Sequence, residues 1–262
     1  MSSLSLAVRD SSTMLRRNLL HARRYPSLTL NLLLTPIMLL LLFVYVFGDT
    51  MSAGIGGSGA DRADYIAYLV PGLLLMTIGS TTIGTAVSVA NDMTEGIIAR
   101  FRTMAIHRGS VLVGHVVGSV LQSVASVVLV GAVGFAIGFR STDATAVEWL
   151  AAFGLLVLFA LALTWIAVGM GLVSPNAEAA SNNAMPLIFL PLISSAFVPV
   201  DAMPGWFQPI AQYQPFTPAI ETLRGLLLGT EIGHNGWLAA AWCVGLAVLG
   251  YLWSTSKFDD QK

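Results

Sequence analysis

The chain has 262 residues, 55% of them hydrophobic and 10% charged, with a formal net charge of −1. Soluble domains carry about 25% charged residues, so this composition excludes a water-covered globule and places the chain in the membrane class, and with no dense basic tract no nucleic-acid partner is expected. A single cysteine, Cys243, excludes an internal disulfide and any multi-cysteine metal site.

The opening stretch, residues 1–27, places Leu4, Val8, Leu15, Leu19 and Ala22 on one face of a helix, with Arg9, Arg16 and Arg23 opposite. That pattern predicts a basic amphipathic helix on the inner membrane leaflet, leading into the first span through "RRYPS". A disordered basic tail is the competing reading. Arg16–Arg17 and Arg23–Arg24 invite a twin-arginine reading, but the apolar run that follows exceeds the roughly 7–15 residues of a signal-peptide core. A retained span fits better.

A helix needs about 20 apolar residues to cross the hydrocarbon core. Runs free of Asp, Glu, Lys and Arg meet this at Leu28–Phe47, Tyr65–Ala90, Ser110–Phe139 and Trp149–Val173, and shorter ones follow at Ala184–Val200 and Gly236–Ser254. The expected fold is therefore all-α and integral to the membrane, one transmembrane domain over 1–262 with six spanning helices. Pro186, Pro191 and Pro199 predict kinks in the fifth span. The loop 48–64, with "GIGGSG", reads as a flexible connection.

Six spans place both termini on one side with loops 91–109 and 174–183. That side holds ten Lys and Arg residues against three (Arg62, Arg140, Arg224) on the other. The positive-inside rule then puts both termini in the cytoplasm of a cell (inner or plasma) membrane. On the outer side, residues 201–235 contain Trp206, Phe207, Tyr213 and Phe216 among several prolines. They are expected to form short interfacial or re-entrant helices.

Catalytic patterns are missing. The sequence has no Gly-rich phosphate loop ending in Lys-Ser/Thr, no His-Glu-x-x-His and no Cys/His cluster. His115 lies in the third apolar run, where a neutral, hydrogen-bonded histidine is expected. All fourteen acids fall outside the apolar runs, so an ion-coupled secondary transporter or channel, the alternative function, lacks its usual mid-membrane carboxylate. An embedded enzyme using His115, or Asp201 with Glu221, would need groups that the topology scatters. Gly114 with Gly118, and Gly134 with Gly138, have spacing that suits close helix approach, either within one subunit or between two.

The stretch "NDMTEGIIARFRTMAIHRGS" interrupts the apolar pattern with Asp92, Glu95, Arg100, Arg102 and Arg108. Asp92 as N-cap with Glu95 three residues on forms a capping-box pattern, and Arg108-Gly109 supplies a stop. Met93, Ile97, Ile98, Phe101, Met104 and Ala105 then share one face, opposite Asp92, Glu95, Arg102, Thr103 and His107, with Ile106 as the exception. Residues 91–109 are expected to form a two-faced cytoplasmic helix. It would either rest on lipid as a simple connection or receive a push from a cytoplasmic partner through its charged face.

Taken together, three features resemble the ABC transporter type-2 permeases, the family of daunorubicin-resistance permeases and polysaccharide exporters. They are the basic N-terminal helix, the segment 91–121 with Glu95-Gly96 and Arg108-Gly109-Ser110, and an outer pattern of Pro204, Trp206, Pro215, Thr217, Arg224 and Gly229. In the outer pattern Gly205 separates Pro204 from Trp206, where the family has Pro-Trp, while the family's Pro-x-Thr slot reads Pro-Phe-Thr at 215–217. The resemblance implies a half-transporter without catalytic, cofactor or metal residues of its own. Its partners would be two cytoplasmic ABC ATPase subunits carrying ATP and Mg, a second permease copy or a sister permease, and membrane lipid. It further implies export of a hydrophobic or amphipathic drug, antibiotic or lipid by alternating access, along a path between permeases lined by spans two and five. Residues 92–108 would be the coupling helix, touching the ATPase through Asp92, Glu95, Gly96, Arg100, Phe101, Arg102 and Met104. The segment with Arg16, Arg17, Arg23 and Arg24 would be the connecting helix beside it.

Overall fold

The computed structural model describes residues 26–48, 62–95, 108–141 and 144–260. Among these every regular element is helical. Helix α1 spans Pro26–Tyr45, α2 Arg62–Thr94, α3 Arg108–Ile137 and α4 Ala146–Val173. Two short helices follow, α5 (Ala177–Ala184) and α6 (Pro186–Leu192). After a 3-10 turn at Val200–Ala202 come α7 (Gln208–Tyr213), α8 (Phe216–Leu228) and α9 (Asn235–Asp260). Four of them, α2, α3, α4 and α9, are long and apolar enough to cross a membrane, and α1 contributes a shorter apolar stretch at Leu34–Tyr45.

Helix α2 is the axis of the bundle, touching α1, α3, α4, α5, α6 and α8. Its long charge-free run leaves no polar face to present to water, and between Leu69 and Ala90 only Ile83, Gly84, Val87 and Ser88 are not buried. Small residues let its neighbours approach closely. A Cβ on Gly79 would sit 2.5 Å from the Leu187 carbonyl oxygen, and one on Gly72 would sit 2.7 Å from the Ala196 Cα. Gly169 lies under the Trp253 ring, and Gly171 against Ala86 and Val89. Gly134 faces Val70. Gly134, Gly169 and Gly171 are therefore used for packing within the subunit.

The stretch 184–200 is not one helix. It breaks at Met185, where Pro186 follows, and again at Ile193, past Pro191. Proline removes a backbone donor and clashes with the preceding turn. The broken segment nonetheless runs antiparallel to α2. Ala180 and Ala184 join the cluster of Ala86 and Ala90, Leu187 lies at Gly79, and Ala196 lies at Gly72. At 1.5 Å per residue along α2 this covers about 20–25 Å, most of a hydrocarbon core of about 30 Å.

One expectation about the charged stretch needs correcting. Asp92 does not cap a new helix, because α2 continues through it to Thr94 and its side chain is buried. Residues 91–94 belong to α2, and 108–109 to α3. The reason is packing: Val89 and Met93 join Leu112 and Val116 in one apolar cluster, which holds α2 helical beyond its charge-free run.

Candidate functional site

The polar interior begins where the prolines break the helix. Between Pro191 and Pro199 the backbone cannot complete a helical ladder, yet Ser194, Ser195, Ala196 and Phe197 are buried. Unpaired peptide groups in an apolar surround cost several kcal/mol each, and side chains from α2, α7–α8 and the segment itself take their place. The Ser195 N–H donates to Thr217 Oγ1 at 3.2 Å. The Ser195 carbonyl accepts from the Tyr68 hydroxyl at 2.8 Å and from Arg224 Nη2 at 2.7 Å. Gln214 Nε2 donates to the Leu190 carbonyl at 3.2 Å, and Ser194 Oγ accepts from the Ala196 N–H at 3.1 Å.

Arg224 is the centre of this network. It is only 4% exposed. Its Nε donates to the Tyr68 carbonyl at 3.0 Å, and its Nη1 to Glu221 Oε1 at 2.6 Å. The guanidinium lies over the Tyr68 ring, 3.5 Å from the centroid, where the ring quadrupole attracts a cation. The planar guanidinium reaches carbonyls on two different elements at once with a fixed fork of donors, a geometry that the compact lysine ammonium does not reproduce. Glu221, one turn earlier on α8, supplies the countercharge and keeps one side open to the surface. The clamp joins α2, α8 and the broken segment near the Arg62 end of the bundle. Ser141 Oγ, just after α3, donates to the Leu227 carbonyl and extends it.

At the opposite end of α2, His115 Nε2 and Asp92 Oδ2 share a hydrogen bond of 3.0 Å, and both side chains are more than nine-tenths buried. Two hydroxyl pairs continue along the same α2–α3 seam, Thr85 with Ser119 at 2.8 Å and Thr81 with Ser123 at 2.7 Å.

The sequence-predicted residues separate into four groups. Thr217 and Arg224 meet in the clamp, with Pro215 half-buried at the start of α8. Pro204 and Trp206 are not part of it: they lie on the surface, where Trp206 packs edge-on against Phe207. Asp92 faces His115, and Glu95 is exposed just past α2. Gly96, Arg100, Phe101, Arg102 and Met104, and the whole of 1–25 with Arg16, Arg17, Arg23 and Arg24, lie outside the described residues. Sequence reasoning missed Tyr68, Ser195, Gln214 and the Asp92–His115 pairing. The one available signal was Pro191 and Pro199 bracketing buried serines, which announces peptide groups in need of partners. His115 pairs with Asp92 and Glu221 with Arg224, and no group able to hold a metal ion is present among the described residues.

These features define a multi-pass, all-helical membrane protein whose buried polar groups tie helices to one another. Comparison with known proteins supplies the family. The model of the ABC-2 type transporter family matches residues 10–228. The chain is 30% identical over 247 residues to the daunorubicin resistance ABC transporter permease protein DrrB1 of Streptomyces coeruleorubidus, covering 92% of this chain and 80% of that protein. It is 21% identical over 180 residues to the probable doxorubicin resistance ABC transporter permease protein DrrC of Mycobacterium tuberculosis, covering 67% and 64%. It is 24% identical over 232 residues to nodulation protein J of Rhizobium meliloti, covering 81% and 80%. The chain belongs to the ABC-2 type transporter family. Members of this family are membrane permease subunits that normally pair with an ATPase subunit.

Proposed function

We propose that this chain is the membrane half of an ATP-driven exporter that moves hydrophobic or amphipathic drugs, antibiotics or lipids out of the cytoplasm. The observation that carries this reading is the similarity to the daunorubicin permease over nearly the whole chain. The transporter contains two permeases, identical or paired with a sister, and two cytoplasmic ATPase subunits that bind ATP and Mg. It sits in the cell membrane with both termini inside. Its six spans are α1, α2, α3, α4, the broken α5–α6 segment and α9, and α7–α8 form a re-entrant outer hairpin. Phe216 lying beside Gly79, midway along α2, supports the hairpin reading. The Arg62 end is then outer and the Thr94 end cytoplasmic.

The residues between α2 and α3 meet the ATPase, through Glu95, Gly96, Arg100, Phe101, Arg102 and Met104, with Asp92 buried just above. The N-terminal segment with Arg16, Arg17, Arg23 and Arg24 lies beside them. Substrate moves by alternating access between the two permeases. The partly uncovered strip of Ile83, Gly84, Val87 and Ser88 on α2, next to the alanine cluster that seats α5, supports a path along spans two and five.

Inverted membrane vesicles containing the permease and its ATPase, with daunorubicin as the probe, test the reading. Uptake is expected to require ATP, to stop with vanadate and to persist when a protonophore collapses the proton gradient. Uptake that ends with the gradient while ATP is maintained would overturn it in favour of an ion-coupled carrier.

A further inference from the structure

The polar contacts between α2 and α3 form a series along their seam. Along α2 they fall at Asp92, Thr85 and Thr81, and along α3 at His115, Ser119 and Ser123, so the helices run antiparallel with one polar contact every one or two turns. Around them Val89, Leu112 and Val116 exclude water, with Met93 and Val120 packed alongside. Apolar helix faces can slide past one another, because lipid and protein offer a methyl group much the same surroundings. Buried polar groups cannot. Displacing α3 by one turn would leave a carboxylate and an imidazole buried without each other, and breaking such a pair by removing one side costs far more than shifting an apolar contact. The contact nearest the cytoplasmic end is also the only ionisable pair of the series. It joins the last turn of α2 to the second turn of α3, where the chain leaves for and returns from the charged segment.

We propose that α2 and α3 move as one rigid body during transport, with Asp92 and His115 as positioning residues that fasten the two ends of the coupling segment together. This rests on the exporter reading above. A push on residues 96–107 then reaches both helices equally instead of prying them apart. The contacts that change during the cycle lie on the outer faces of this hairpin, not along its seam.

A reversible crosslink across the seam tests the inference directly. In the Cys243→Ser protein, which removes the single native thiol, Thr85→Cys and Ser119→Cys replace two hydroxyls 2.8 Å apart, within reach of a disulfide. After oxidation, ATP-driven daunorubicin uptake is expected to stay above about half of its reduced-state rate. Loss of uptake on oxidation that a reductant restores would overturn the rigid-body claim, as would failure of the two cysteines to crosslink. A second arm addresses the positioning role through the number of substrates moved per ATP hydrolysed, which a simple loss of folded protein leaves unchanged. His115→Ala is expected to lower that ratio at least about tenfold, and His115→Gln, which can still donate to Asp92, is expected to recover most of it. An unchanged ratio in His115→Ala would refute the role. Should His115→Ala fail to accumulate, the crosslink arm still decides. If the Cys243→Ser parent shows no ATP-driven uptake at all, the exporter reading falls, and this inference with it.

Discussion

Replacing Arg224 with Gln is expected to lower the stability of the permease more than any other single change at the Arg62 end of the bundle. The substitution removes the cation over Tyr68 and withdraws donors from the Tyr68 and Ser195 carbonyls, in a place that water does not reach. Breaking a buried charge network from one side costs about 3–5 kcal/mol in soluble proteins, and hydrogen bonds between membrane helices average about 0.6 kcal/mol. A loss of about 2–4 kcal/mol lies between these bounds. It should appear as a lower melting temperature in detergent and as reduced abundance in the membrane. Tyr68→Phe provides the contrast. It deletes one donor to Ser195, whose carbonyl keeps Arg224, and retains the ring under the guanidinium. Its cost should stay below about 1 kcal/mol. Equal melting temperatures for Arg224→Gln and the parent would show that the clamp contributes little. A Tyr68→Phe loss as large as that of Arg224→Gln would show that the hydroxyl, not the guanidinium, holds the segment.

The second large effect is expected at the other end of the molecule and in a different property. Reversing Arg100 and Arg102 to Glu should leave the amount and melting temperature of the permease unchanged while lowering ATP-driven uptake at least about tenfold. Charged groups in a docking surface govern which partner binds and how fast, whereas a helix core does not depend on them. Measured side by side, uptake and abundance separate the two outcomes. Parallel losses of both would mean that these arginines support the fold and that the coupling role belongs elsewhere.

Most of the long helices were legible in the sequence, for a simple physical reason. Hydrocarbon tolerates almost no charge, so the charge-free runs at Leu28–Phe47, Tyr65–Ala90, Ser110–Phe139, Trp149–Val173 and Gly236–Ser254 coincide with α1, α2, α3, α4 and α9 to within a few residues at most ends. The helices overrun those runs at their tips, because Arg62, Asp64, Asp92 and Lys257 sit at or near helix ends, where charge can reach the interface or find a partner. The kinks of the fifth segment were legible from its prolines, but its division into α5, α6 and an irregular stretch was not. That outcome depends on which side chains stand ready to satisfy the freed backbone, and these come from Tyr68, Gln214, Thr217 and Arg224.

The candidate sites were less legible than the helices. Arg224 could be singled out from a motif, but its role could not, since it depends on Tyr68, 156 residues away in the chain. Asp92 misled. In isolation an aspartate three residues before a glutamate is a good helix start, and only the packing of Met93 and Val89 against α3 shows that the helix has not yet ended. His115 was recognisable as a buried polar group in need of a partner, and that partner was the residue assigned to another task.

Site-directed crosslinking during turnover tests most directly whether force reaches this permease through the segment between α2 and α3. In the Cys243→Ser protein, single cysteines replace Glu95 or Arg102, and the ATPase subunit carries a cysteine on its membrane-facing surface. Crosslinks to the ATPase that form at both positions and change in yield between the ATP-bound and vanadate-trapped states are the predicted result. If neither position crosslinks to any ATPase in either state, while daunorubicin uptake continues, the coupling account is contradicted.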